Sequence, residues 1–294
     1  MSGRPILLLG AHGQMGRALA PRLASLGSVV ALGRREADLA QPESLREIVR
    51  TAKPWLLVNA AAYTAVDSAE TDEATCMRVN AYSPEILAEE SARLGAPIIH
   101  FSTNYVFDGA LDRPYREDDP PAPESVYGRS KLLGEAAVSA NPAHLILRLA
   151  AVYASSGRNF VRRILDLSRE REELRVVEDQ LVGPTPASAV ATATVGIIGG
   201  LFDRSHELWS GVYHLTCAGS TSWYGFAERI LAFDPRREEQ RVQRLVPVSS
   251  SELGAAAPRP RNGLLDCGRA ARELGITLPD WVSELEREMT GVAN

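Results

Sequence analysis

Five short apolar runs dominate the first half of the chain: residues 5–10 (PILLLG), 28–33 (SVVALG), 54–61 (PWLLVNAA), 96–102 (APIIHFS) and 145–151 (LILRLAA). None of them alternates apolar with polar residues. A strand with one wet face must alternate, so these runs predict strands covered by helices on both sides. Stretches with helical spacing lie between them, at 14–26, 43–52, 70–94 and 125–140. Strand and helix in turn predict an α/β chain built on a doubly wound parallel sheet. The second half is less regular. Helical spacing recurs near 159–171, 187–202, 222–232 and 280–290, with short strands near 174–178 and 211–215 and a proline-bearing loop from Ala255 to Arg261. These patterns predict a domain over residues 1–150. Residues 151–294 are expected to form mainly a smaller C-terminal lobe closing over it, with segments free to return to the main sheet.

The first apolar run passes directly into Gly10-Ala11-His12-Gly13-Gln14-Met15-Gly16, and a helical stretch follows. Glycines at this spacing allow a tight turn, a close approach of backbone to a pyrophosphate, and close packing of helix on strand. The helix start offers unpaired N–H groups to phosphate. Gly10, Gly13, Gln14, Met15 and Gly16 are therefore candidate cofactor contacts, and the first domain reads as a Rossmann-type NAD(P)-binding fold. The second run ends at Gly33-Arg34-Arg35. An acidic side chain there would bind a ribose 2′-hydroxyl, whereas guanidinium groups suit a 2′-phosphate. Arg34 and Arg35 thus predict NADPH, with NADH as the alternative donor. Asp38 and Leu39 follow where adenine is expected. Small residues after Asn59, at Ala60, Ala61 and Ala62, leave room for a cofactor to cross the sheet edge.

Tyr127 and Lys131 are four residues apart in a helical stretch and so share a face. An ammonium beside a phenol lowers its pKa and makes it a usable proton donor to a carbonyl being reduced. Composition sharpens the point. Of 32 basic residues only Lys53 and Lys131 are lysine, so a lysine here reads as required. Ser102-Thr103 ends the fourth run, and Thr103 is the candidate hydroxyl beside the tyrosine. The expected catalytic set is Thr103, Tyr127 and Lys131.

Other features exclude classes of function. The formal net charge of −5 gives no global attraction for nucleic acid or anionic membrane. No run reaches the roughly 18 apolar residues of a membrane span, and the opening residues lack the order of a signal peptide. Cys76, Cys217 and Cys267 are odd in number and widely spaced, which predicts reduced thiols, a cytoplasmic location and no metal site.

In combination, the glycine turn with GQMG, NAAAYTAVDSAE (59–70), FSTNYVFDG (101–109), VYGRSKLLGE (126–135), EDQLVGPT (178–185), YHLTCAGSTSWYGFA (213–227), APRPRNGLLD and LPDW resemble the dTDP-4-dehydrorhamnose reductases, members of the extended short-chain dehydrogenases/reductases. The resemblance spans nearly the whole chain. It implies hydride transfer from NADPH to C4 of a nucleotide-linked 4-keto-6-deoxysugar, most simply dTDP-4-dehydrorhamnose. It further implies phosphate contacts from Gly13, Gln14 and Met15 and adenine contacts from Asp38 and Leu39. Ala62, Tyr63 and Thr64 would meet the middle of the cofactor. Thr103 and Asn104 would meet the sugar, Tyr127 would donate the proton, and Lys131 would anchor the ribose.

Three departures from the family pattern stand out. Asn104 replaces an aspartate. Ala151 replaces the tryptophan that packs on the sugar, which loses apolar surface and leaves a different 4-ketosugar open. Ala18 and Ser188 stand where some members carry glutamates of a magnesium-bridged dimer, so no such bridge is expected; a homodimer of another kind stays open. Two rivals remain. A sugar-nucleotide dehydratase needs an acidic pair where this chain has Asn104-Tyr105, and an epimerase usually has an acid where it has arginines. The regulatory subunit of methionine adenosyltransferase keeps the same fold without catalysis, and the intact Thr103, Tyr127 and Lys131 weigh against it.

Overall fold

The computed structural model describes residues 3–202 and 210–291. The five apolar runs form strands β1 (Ile6–Leu9), β2 (Val29–Leu32), β3 (Leu56–Asn59), β4 (Ile98–Thr103) and β5 (His144–Leu149). A sixth strand, β6 (Ser210–His214), joins them from the second half. The order across the sheet is β6-β5-β4-β3-β1-β2, with every neighbouring pair parallel.

In β1 and β3 the absence of alternation has the expected cause, whereas β2, at the edge of the sheet, departs from it with Val30 and Ala31 exposed. Ile6 and Leu8 of β1 point into one core while Leu7 and Leu9 point into another, and all four are fully buried. Leu56 and Val58 of β3 oppose Leu57 in the same way. Helix α1 (Gln14–Leu23) packs on the first face through Met15, Leu19 and Leu23. It lies against α6 (Ala187–Phe202). Helices α2 (Pro42–Ala52) and α3 (Ser83–Arg93) cover the second face through Leu45, Val49, Ile86 and Leu87.

Helix α4 (Val126–Val138) starts at Ser125, whose hydroxyl accepts from Gly128 N–H at 3.0 Å. The helical stretch expected over 70–94 is broken. Short helices Val66–Ala69 and Glu73–Met77 precede a π turn, Arg78–Tyr82, that runs on into α3. The turn carries Asn80 inward; its side chain accepts from Tyr63 N–H at 2.9 Å and donates to Tyr63 O at 3.0 Å.

In the second half, Glu173–Val177 pairs in parallel with Arg244–Val248. Helices α5 (Phe160–Glu170) and α7 (Trp223–Ala232) pack beside that pair, and α8 (Trp281–Thr290) closes the cluster. Phe226, fully buried, is its hub, with Tyr153, Phe160, Trp223 and Trp281 ring centroids 5.4–6.3 Å away. Among the described residues no helix is long and apolar enough to cross a membrane.

The chain goes from β1 outward to β2, then crosses back past β1 to β3. Ligands of open α/β sheets bind at such a reversal, outside the carboxyl ends of the strands. Gly10 follows β1 and Asn59 ends β3, so the glycine turn stands at that point.

Candidate active site

Two glycines of the turn are demanded by geometry. Gly10 has φ +79°, and a Cβ there would sit 2.6 Å from Ala61 N. A Cβ on Gly16 would sit 2.1 Å from Gly10 O, so this glycine lets α1 press onto the turn. Gly13 caps α1 with no side-chain partner, and no acidic residue occupies the helix's first turn. Its N–H groups therefore face the cleft uncompensated. Gln14 Oε1 is buried there with no hydrogen-bond partner among the described residues. An open helix start, a glycine floor and an orphaned polar atom fit the pyrophosphate of a dinucleotide.

A cleft of about 960 Å³ runs along the carboxyl edge of the sheet from this turn. Arg34, Asp38 and Leu39 line it beyond β2, with Gly10, Gly13, Gln14 and Met15 beside them. Ala62, Tyr63 and Thr64 line it beyond β3. Thr103, Asn104, Tyr127, Lys131 and Ala151 line it beyond β4 and β5. Two expected contacts stand apart. Gly16 lies under the turn, and Arg35 is exposed outside the cleft wall. Arg34 is exposed and makes a loose 3.5 Å ion pair with Asp38, which leaves its guanidinium available to an anion.

Thr103, Tyr127 and Lys131 are 6%, 9% and 1% exposed. Burial pushes the Tyr127 hydroxyl above its ordinary value, and a hydrogen bond with Thr103 opposes that rise. Tyr105 stands edge-on to the Tyr127 ring, centroids 5.5 Å apart. Lys131 Nζ donates to Phe101 O at 2.7 Å and lies 3.0 Å from His100 Nε2. Burial brings its pKa down to about 8. The expected lowering of the tyrosine by the ammonium is therefore not what this arrangement produces: the Tyr127 hydroxyl stays firmly protonated, and the lysine is turned to the carbonyl and imidazole behind it.

Asn104 is committed within the protein, its Nδ2 donating to Gly263 O at 3.1 Å and its Oδ1 accepting from Thr103 Oγ1 at 3.3 Å. Ala151 has φ +42°, one of two non-glycine residues with positive φ among those described. Backbone held in that region costs on the order of 1 kcal/mol and tends to cluster at functional sites.

Sequence reasoning missed Arg158 and Asn159, which reach this cleft from the second half together with Trp223. Asn159 does so while capping α5, accepting from Arg162 N–H at 3.1 Å. Trp223 packs on Phe160 at 4.6 Å. Behind Lys131, His100 was also missed; a histidine inside the apolar run IIHFS was the available signal, since a buried polar side chain needs a partner.

A parallel sheet with this strand order, a glycine turn at its reversal point and a cleft along the carboxyl edge define an NAD(P)-dependent oxidoreductase of the short-chain dehydrogenase/reductase type. The family model described as the RmlD substrate binding domain matches residues 4–293. The dTDP-4-dehydrorhamnose reductase of Burkholderia thailandensis is 46% identical over 282 residues, covering 94% of this chain and 95% of that protein. Crystal structures of a dTDP-4-dehydrorhamnose reductase from Clostridium acetobutylicum and of one from Bacillus anthracis in complex with NADP superpose with TM-scores of 0.89 and 0.88, at 32% and 30% identity. Each covers 98% of this chain and 99% of its own. The chain belongs to the dTDP-4-dehydrorhamnose reductase family.

Proposed function

We propose that this protein reduces the 4-keto group of a nucleotide-linked 6-deoxysugar with NADPH, converting dTDP-4-dehydro-L-rhamnose to dTDP-L-rhamnose. The observation that carries the reading is the convergence of Thr103, Tyr127 and Lys131 on the same cleft as the glycine turn. NADPH, when bound, supplies the hydride. The first turn of α1 would hold its pyrophosphate, and Arg34 its 2′-phosphate. Tyr127, kept protonated by burial, gives its hydroxyl hydrogen to the C4 oxygen as that oxygen gains charge. Thr103 holds the tyrosine hydroxyl and shares the carbonyl. Lys131 anchors the ribose from the floor of the cleft.

The residues of the second half divide the same cleft as a substrate lobe. Trp223 offers the apolar face there that Ala151 does not. Ala151 also favours a second reading, a reductase of another 4-ketosugar nucleotide, because a methyl group leaves space that an indole would fill. Three free cysteines suit the reducing cytoplasm, and a homodimer is the assembly to examine first. The deciding experiment is steady-state consumption of NADPH by the purified protein against a panel of nucleotide-linked 4-ketosugars. The rhamnose precursor is expected to have the highest kcat/KM; no turnover with any member would refute the reductase reading.

A further inference from the structure

Behind the cleft, Asn59, His100 and Lys131 form a buried chain from three elements, each side chain 1% exposed. Ala61 N–H donates to Asn59 Oδ1 at 3.2 Å, which fixes how the amide is turned. Asn59 Nδ2 then faces His100 Nδ1 at 3.1 Å, and His100 Nε2 faces Lys131 Nζ at 3.0 Å. An amide nitrogen only donates, so His100 Nδ1 must accept. A neutral imidazole has one hydrogen, and here it must sit on Nε2, pointing at Lys131. An ammonium has no lone pair to receive it; an amine has one. The arrangement in the structure is thus that of the lysine amine.

Putting a proton on Lys131 reverses every link. The ammonium donates to Nε2, the ring hydrogen must be on Nδ1, and Asn59 must turn its oxygen to accept it. Ala61 N–H then loses its acceptor. We propose that Asn59, His100 and Lys131 work as a reversible hydrogen-bond chain, in which His100 carries its hydrogen on Nε2 when Lys131 is an amine and on Nδ1 when it is an ammonium. One proton enters in the change, from the cleft to Lys131, while the ring hydrogen relocates by exchange with solvent. Asn59, held by Ala61, biases the chain toward the amine. His100 and Asn59 are positioning residues: they set when Lys131 is charged without touching substrate.

The other groups near Lys131 do not supply this switch. Glu135, on its own helix, is spent on Arg148 at 2.7 Å. Cys76, on the helix Glu73–Met77, is bonded to Ser130 Oγ at 3.2 Å, and burial keeps its thiol protonated. Tyr127, one turn back, is held protonated by its own burial. Burial also depresses the basicity of His100 itself, with Lys131 adding to the effect, so the ring changes tautomer rather than charge.

The test uses the intact protein without ligands. The chain has only two lysines, so isotope labelling at the lysine ε-carbon gives two NMR resonances, assigned through Lys53→Arg. Labelled histidine reports which ring nitrogen of His100 carries hydrogen. The expected result is a Lys131 midpoint near pH 8 with the His100 tautomer changing at the same midpoint. A tautomer that stays fixed while Lys131 titrates overturns the proposal, as does a Lys131 resonance that remains ammonium beyond about pH 10. Asn59→Asp keeps an acceptor for Ala61 N–H and adds one for His100 Nδ1, so it should lock the Nδ1–H tautomer and raise the Lys131 midpoint by one pH unit or more. The consequence for turnover rests on the reductase reading: the alkaline limb of kcat/KM should move up with that midpoint in Asn59→Asp. The NMR outcome is independent of turnover, so failure of the chain and failure of the reductase reading are told apart.

Discussion

Glu135 grips Arg148 with both carboxylate oxygens, Oε1 to Nε at 2.9 Å and Oε2 to Nη2 at 2.7 Å, and each residue is only 4% exposed. Glu135 lies on the same face of α4 as Tyr127 and Lys131, one turn further on, and it also accepts from Ser102 Oγ of β4. The ion pair therefore fixes the register of α4 against β4 and β5, and with it the two side chains that face the cleft. Breaking a buried pair on one side leaves a charge without a partner and costs about 3–5 kcal/mol. Glu135→Leu is expected to lower the urea midpoint accordingly, and adding Arg148→Met to recover much of the loss. Equal destabilisation by the single and double variants would mean that the pair is not what holds the helix.

Tyr127→Phe removes the proposed proton donor while leaving the ring and its contact with Tyr105. Turnover with a 4-ketosugar nucleotide is expected to fall by about 10²-fold or more, with NADPH affinity, measured by fluorescence titration, little changed. Activity close to that of the parent protein would take the tyrosine out of the chemistry.

The two arginines after β2 are expected to behave differently. Only Arg34 lines the cleft, so Arg34→Ala alone should shift the NADPH-to-NADH preference toward NADH by about tenfold or more, the worth of a charge-assisted bond. Arg35→Ala should leave the ratio of kcat/KM values for the two donors unchanged. An effect confined to Arg35→Ala would reverse the assignment.

Two buried histidines predict acid sensitivity at an unusually high pH. Burial lowers His214 to about 3, with Arg148 adding to the effect, and depresses His100 well below its ordinary value. Both rings are neutral in the folded protein but take up a proton in the unfolded chain below about pH 6.5. The unfolded state binds more protons there, so the contribution of these two rings is complete above that pH and falls as the pH drops from about 6.5 toward 3. Each ring contributes a slope of about 1.4 kcal/mol per pH unit. Denaturation free energies measured between pH 7 and 5 should show a slope that steepens toward this value below about pH 5.5, and His214→Gln should reduce it by about half. A flat profile over that range would contradict neutral burial of these rings.

Much of the fold was legible because β1, β3, β4 and β5 are buried on both faces, and a chain satisfies that with mainly apolar runs that do not alternate, the buried His100 and Arg148 each being met by a partner. The glycine turn was legible because Gly10 and Gly16 are sterically forced. Lys131 stood out because arginine is the default base elsewhere. Other features leave no local mark. The π turn at Arg78–Tyr82 has the same helical spacing as its neighbours, so a continuous helix was the natural expectation. The pairing of Glu173–Val177 with Arg244–Val248 joins segments some 70 residues apart, and no local pattern encodes a distant register. Arg34 and Arg35 are chemically identical, so only the path of the backbone after β2 separates the one at the cleft. Lys131's partner His100 lies on β4 and that ring's own partner Asn59 on β3, far away in sequence, so the chain emerges only when the sheet brings Asn59 beside His100.

The late arrival of β6 has a consequence for biosynthesis. Without it, β5 would be the border of the sheet, yet all six of its residues are buried. Such a border is a sticky template for other chains. On the ribosome, β5 emerges more than sixty residues before Ser210. Throughout that interval the nascent chain carries an open apolar ledge, where a chaperone would be most useful and where a chain stopped early would aggregate.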